Sequence, residues 1–132
     1  QKETVDGAPL MDNAVYRDRL IALQAEVFAM KFNGMRLTTS ATQKKSGGMA
    51  GMIVKLQGCE LNHRLAELAI DVMGEYGILF EDSPFIRDHG MWQTAYMFDL
   101  GLIIGGGSAQ IQKNIISERG LEMPREPKVA KK

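Results

Sequence analysis

The stretch MAGMIVKLQGCELNHRLAELAIDVM, Met49–Met73, decides the architecture. Ile53, Leu56, Leu61, Leu65, Leu68 and Val72 recur at three- to five-residue steps, the period of one helix face rather than of a strand. Gly74 directly after it is a carboxy-terminal stop, and Gly77 extends the turn. Upstream, Ser46-Gly47-Gly48 separates this helix from a longer periodic segment, Ala14 to about Thr42. There Leu20, Leu23, Val27, Met30 and Leu37 form a single stripe along roughly 40 Å of helix. Asp12 or Asn13 is the expected cap, because a short side-chain oxygen accepts from the free amides of the first turn. Gly34 is the one weak point inside that helix. Downstream, Ile78–Gly90 contains Pro84 and reads as loop. A third helix spans Met91 to about Ile103, with Trp92, Tyr96, Leu100 and Ile103 inward. Gly105-Gly106-Gly107 ends it, and Ser108 caps a short fourth helix through Arg119, with Ile111, Ile115 and Ile116 inward. Gly120 stops that helix, and Pro124 and Pro127 mark an extended tail. No strand signal competes. Two long and two shorter helices joined by turns predict an all-α fold, an antiparallel up-and-down four-helix bundle. Residues 14–120 form the bundle, 1–13 a linker from upstream domains and 121–132 the tail.

The chain has 132 residues, enough for a real core without disulfides or metals. Sixteen basic residues balance sixteen acidic ones, so nothing points to a nucleic acid, which calls for a basic excess. The three lysines of Lys128–Lys132 read as a solvated end. No run of eighteen apolar residues exists, so no membrane span is expected, and the start carries no signal-peptide pattern. Cys59 is the only cysteine, which excludes an internal disulfide and reads as a small buried apolar residue in a reducing, cytoplasmic setting. A polar opening with Gly7 and Pro9 is an unusual way for an enzyme to begin, so the chain reads as an excised piece or one subunit of something larger.

Few side chains suggest chemistry on their own. The glycine run before Ser108 lacks the Lys-Ser/Thr pair and the preceding strand of a phosphate loop, and reads as a tight interhelical turn. His63, between Glu60 and Glu67, reads as part of a polar helix face, and His89 as a solvent-facing loop residue or partial cap. Two histidines apart in sequence make no metal set. Nine methionines are many; Met30, Met73 and Met97 fit helix stripes and core packing.

The segment Gly105-Gly106-Gly107-Ser108-Ala109-Gln110-Ile111-Gln112-Lys113-Asn114-Ile115-Ile116 resembles the run that opens the last helix of acyl-CoA dehydrogenases, and Ser117–Arg125 is similar to their ending. Leu65–Gly77 looks like the same family's helix-to-loop segment ending in Gly-Gly-x-Gly. The resemblance covers about Pro9 to Arg125, the whole domain. It implies the carboxy-terminal helical domain of an enzyme that binds FAD and oxidises the Cα–Cβ bond of an acyl-CoA thioester. It also implies a homo- or hetero-oligomer, a dimer of dimers, with each flavin across a subunit interface. In that family a carboxylate removes the α-proton while hydrogen bonds to the thioester carbonyl stabilise the developing enolate. Carried over by position, Ser108 and Gln110 match the pair that contacts FAD. Asp71 and Gly74 match a glutamine and a glycine that reach the flavin of the neighbouring subunit.

Departures from the pattern are as informative. Gly106 occupies the usual place of the catalytic glutamate and cannot take a proton, so this chain carries no base. Some branches of the family place it on an earlier helix, and others have lost it. Asp71 puts a carboxylate where a pyrophosphate is expected, which repels it unless a cation or water intervenes, and Glu75 replaces a second glycine. Asp6-Gly7-Ala8-Pro9-Leu10 stands where the flavin-binding Arg-x-x-Phe-Gly segment is expected. These departures define the alternative: a non-catalytic interaction module, such as the inactive subunit of a mixed tetramer.

Overall fold

A computed structural model describes residues 4–5, 7–80, 82–125 and 127. The fold is all-helical, with four helices: α1 (Ala14–Thr42), α2 (Gly48–Met73), α3 (Met91–Ile104) and α4 (Ala109–Ile115). One π-helical turn, Ile116–Gly120, prolongs α4. At the start, Thr4–Val5 pairs antiparallel with Ala8–Pro9, a two-residue hairpin that the sequence reading did not foresee. Lys128–Lys132 lie outside the described residues.

Capping chemistry explains where α1 starts and ends. The Asn13 side chain accepts from the amides of Val15 (3.0 Å) and Tyr16 (3.3 Å), so Asn13, not Asp12, is the cap. In the last turns the hydroxyls of Thr38, Thr39 and Thr42 each bond the carbonyl four residues back, so each of these threonine hydroxyls has a partner inside the helix. The buried Asn33 amide then donates to the Ala50 carbonyl at 2.9 Å and ties α1 to the first turn of α2.

The architecture is centred on α2. It packs against α1 on one side, α3 on another, and α4 with its π turn near its own amino terminus. Leu61 and Leu68 of α2 and Leu23 of α1 form the core, joined by half-buried Tyr16, Met30, Leu65 and Val72. This seam matches the stripe read on α2. On α1 the stripe is only partly inward: Leu23 is buried, while Leu20 and Val27 are substantially exposed.

The inward face of α3 differs from the sequence reading. Gln93 and Asp99 are buried, and Leu100 and Met97 face outward. Two contacts mark the α2–α3 seam. His63 of α2 stacks on Tyr96, with ring centroids 4.4 Å apart, and Lys55 bonds the carbonyl of Ile103. Tyr96 and Ile103, seven residues apart, are both half-buried on nearly one line of α3; of the two residues that flank this line, Asp99 is buried and Leu100 is exposed. His63 is therefore no member of an exposed polar face; its ring fills the α2–α3 seam. His89 is exposed, in the loop as expected. On α4, Ile115 and Ile116 are half-buried but Ile111 is exposed, because only one side of so short a helix meets α2.

Candidate functional site

The four residues singled out by sequence fall into two clusters at opposite ends of α2. Ser108 and Gln110 open α4 beside Lys55, whereas Asp71 and Gly74 lie at the carboxy-terminal end of α2. Sixteen residues of helix separate Lys55 from Asp71, about 24 Å at 1.5 Å per residue. No single small ligand on one chain touches both clusters.

The first cluster is built on the glycine turn. Gly106 and Gly107 have φ of +72° and +109°, in the left-handed region that favours glycine. The base position of the sequence motif is thus a residue without a side chain, on backbone that disfavours one. The Gln112 side-chain amide closes the turn onto the Gly106 carbonyl at 3.0 Å. Lys55 reaches up from α2 and donates to the carbonyls of Ile103 (3.0 Å) and Gly107 (2.6 Å). Ser108 sits in extended backbone at the N-cap position, but its side chain makes no cap hydrogen bond. The expected hydroxyl cap is absent; the Gln112 and Lys55 side chains bond the turn carbonyls instead. Gln110 is exposed. A hydroxyl not committed to the helix and an exposed amide beside it are donor groups suited to an oxygen-rich ligand.

The second cluster carries the charge problem and part of its answer. Arg19 of α1 bonds the Asp71 carboxylate at 2.8 Å, and the Tyr16 hydroxyl donates to the Asp71 carbonyl at 3.4 Å. The cation that the sequence reading asked for is therefore supplied across the helix pair. Beyond it, Gly74 has φ of +56° and open space where a side chain would stand. A groove of about 380 Å³ beside this end is lined by Val72, Met73, Arg87, Asp88 and Trp92 among others. The Arg87 guanidinium lies 4.6 Å over the Tyr76 ring, and Trp92 Nε1 donates to Asp88 at 3.1 Å. Two arginines thus flank a segment that by its own sequence is acidic.

Between Arg19 and the middle of α2 lies a charged groove of about 190 Å³, lined by Arg19, Ala22, Leu23, Glu26, Arg64 and Glu67. Arg64 holds Glu26 through a two-pronged hydrogen bond, one arm of 2.8 Å from Nη1 and the other from Nη2. That bond holds the Glu26 carboxyl below, and the Arg64 guanidinium above, their ordinary pKa values. A nearly pure apolar groove of about 220 Å³ runs between Tyr16, Leu20, Leu65, Leu68, Val72 and Trp92.

Sequence reading missed Arg19 and Lys55. Arg19 meets Asp71 only through the pairing of α1 with α2, which leaves no local signal. Lys55 left a faint one: it is the only charged residue among the twelve from Gly48 to Cys59. Among the described residues no three His, Cys, Asp or Glu side chains are grouped to hold a metal, and no helix is long and apolar enough to cross a membrane.

Comparison with known proteins follows the same lines. The family model for the acyl-CoA dehydrogenase carboxy-terminal domain matches residues 1–121. The chain is 33% identical over 117 residues to acyl-CoA dehydrogenase IpdE1 of Mycobacterium tuberculosis, covering 89% of this chain and 29% of that protein. It is 26% identical to acyl-CoA dehydrogenase FadE26 of the same organism, over 90% of this chain and 30% of the other. The chain thus spans about three-tenths of the length of these relatives. Among solved structures, the ChsE4-ChsE5 complex from Mycobacterium tuberculosis is similar at a TM-score of 0.79 and 24% identity, over 95% of this chain and 32% of that one. The Tcur3481-Tcur3483 steroid ACAD is similar at 0.78 and 20%, over 89% of this chain and 30% of that one.

Proposed function

Because the chain belongs to the acyl-CoA dehydrogenase family, as its carboxy-terminal domain, we propose that it serves an FAD-dependent α,β-dehydrogenation of an acyl-CoA thioester, supplying flavin contacts and subunit interface but no base. The observation that carries this reading is the uncommitted Ser108 hydroxyl beside exposed Gln110, on a turn held from below by other side chains. These two residues would hold the flavin dinucleotide of the chain's own subunit, by hydrogen bonds from hydroxyl and amide. Asp71 and Gly74 would meet the flavin of the neighbouring subunit, with Arg19 neutralising the carboxylate and Arg87 adding positive charge to that edge. The flavin, when bound, supplies the hydride acceptor. This chain's residues bind and orient; with Gly106 at the motif's base position, proton removal falls to a carboxylate elsewhere in the assembly.

Association with a second subunit has its own support. α1 carries apolar residues on two opposite sides. Leu23, Met30 and Leu37 face α2, while Ile21, Phe28, Phe32 and Met35, at steps of seven, four and three, form a second stripe about half exposed. Four large apolar side chains in line on one face of a helix are a surface that needs a cover. A homo- or hetero-oligomeric partner, in a dimer of dimers, would complete the antiparallel bundle around α1.

The test is direct. The assembly containing this chain should copurify with a yellow chromophore and reduce an artificial electron acceptor with some member of a panel of fatty, branched and steroid acyl-CoA thioesters. Ser108→Ala should weaken flavin binding about two- to tenfold, the worth of one hydrogen bond, and leave the melting temperature unchanged because no cap bond is lost. An assembly free of flavin and inert to every thioester would overturn the proposal. A second reading has specific support as well. Gly106, Glu75 and the Arg19–Asp71 pair together suit the non-catalytic subunit of a mixed tetramer, whose partner brings the base.

A further inference from the structure

Lys55 is a cation drawn off the surface. It stands on α2, half-buried, with its ammonium donating to two backbone carbonyls of other elements, Ile103 at 3.0 Å and Gly107 at 2.6 Å. Its Cε lies 3.9 Å from where a side chain at Gly106 would begin. Burial of an ammonium is costly unless its donors are used, and here two of three are used on carbonyls that the helix ladders leave open. Ile103 belongs to the last turn of α3, where unsatisfied carbonyls favour a positive charge. Gly107 belongs to the turn itself. One side chain therefore bolts both the end of α3 and the flexible glycine run onto α2. The glycines have the least intrinsic reason of any residues to hold one conformation.

We propose that Lys55 is a positioning residue for the cofactor-contact edge: by holding the Ile103 and Gly107 carbonyls it fixes the turn that presents Ser108 and Gln110. The proposal rests on the flavin reading given above. No ligand touches Lys55; it acts through the turn. The side chain of Gln112 closes the turn internally, and among the described residues Lys55 alone ties it to the core helix by hydrogen bonds. Without the ammonium the turn loses its anchor to α2 and opens more often.

The experiment uses Lys55→Met and Lys55→Arg in the flavin-loaded assembly, with two readouts. One is hydrogen exchange at the amides of Gly105, Gly107 and Gln112, all bonded within or next to the turn. The other is flavin affinity. Lys55→Met should speed exchange at these amides at least tenfold, leave those of Arg64–Leu68 unchanged, and raise the flavin Kd about tenfold or more. Lys55→Arg, which keeps charge and donors, should return both to within about threefold. Unchanged exchange overturns the proposal, and so does faster exchange with a flavin Kd within twofold, which leaves the flavin reading standing. Failure of Lys55→Arg to restore either readout also overturns it. A wild-type assembly that holds no flavin sinks both readings together. If Lys55→Met does not accumulate as folded protein, Lys55→Gln is read in the same two ways.

Discussion

Replacing Gly77 by alanine should destabilise the domain severely although it adds one methyl group. The turn Gly74–Ile78 folds back across the last turns of α2, and Gly77 is buried against Ile70. A Cβ at this position would stand 2.5 Å from the Ile70 carbonyl oxygen, 2.9 Å from its Cγ2 and 3.2 Å from its carbonyl carbon. Two of these distances are shorter than real Cβ contacts, and the nearest atom is backbone held within α2. A side-chain neighbour could swing away; this carbonyl cannot without bending the helix. Overpacking typically costs about 1–3 kcal/mol, and a backbone obstacle puts Gly77→Ala near the upper end. Unfolding entropy of about 2.1 cal/mol/K per residue amounts to roughly 0.28 kcal/mol/K for this chain, so about 3 kcal/mol lowers the melting temperature by about 11 °C. Thermal unfolding followed by circular dichroism reads this directly. Gly34→Ala is the internal control. It lies inside α1 with nothing within 4 Å of the added Cβ, and should raise stability by about 1 kcal/mol through helix propensity alone. If Gly77→Ala melts within about 2 °C of the parent, the turn moves as a unit and the close approach to Ile70 is not what holds the Gly74 edge in place.

Two further outcomes follow from local chemistry. Asn13→Ala removes both bonds to the first-turn amides of α1 and should cost about 1 kcal/mol, with Asp12→Ala near neutral, both read by thermal unfolding. Glu26 has a carboxyl pKa held low by Arg64, so its contribution is present above the ordinary carboxylate pKa and is lost as pH falls through the lowered value. Glu26→Gln should lower stability modestly from neutral to alkaline pH, flatten the acid limb of the stability–pH profile, and change little at pH below the lowered value; an unaltered acid limb would refute the assignment.

Much of the fold was legible because helix periodicity and stop signals are local. The stripe on Met49–Met73, the breaks at Ser46–Gly48 and Gly105–Gly107, and the cap at Asn13 all depend on residues within one or two turns. The family, too, was legible, because its motifs at Leu65–Gly77 and Gly105–Ile116 are contiguous in sequence. The errors have one physical source. Met97, Leu100, Ile111 and His63 were placed by spacing along their own helices, whereas their orientation depends on what the opposite helix offers. Tyr96 stacks on the His63 ring and Lys55 bonds the Ile103 carbonyl along the α2–α3 seam, where Asp99 is buried and Leu100 is left exposed.

By itself, the sequence determined that the chain is helical, where its helices begin and end, and to which family it belongs, since each of these rests on neighbours along the backbone. Only the tertiary structure decided which faces meet, that Arg19 answers Asp71, and that Lys55 rather than the Ser108 hydroxyl secures the glycine turn. Charges on separate helices find each other through packing geometry, and no spacing along one chain segment encodes that meeting.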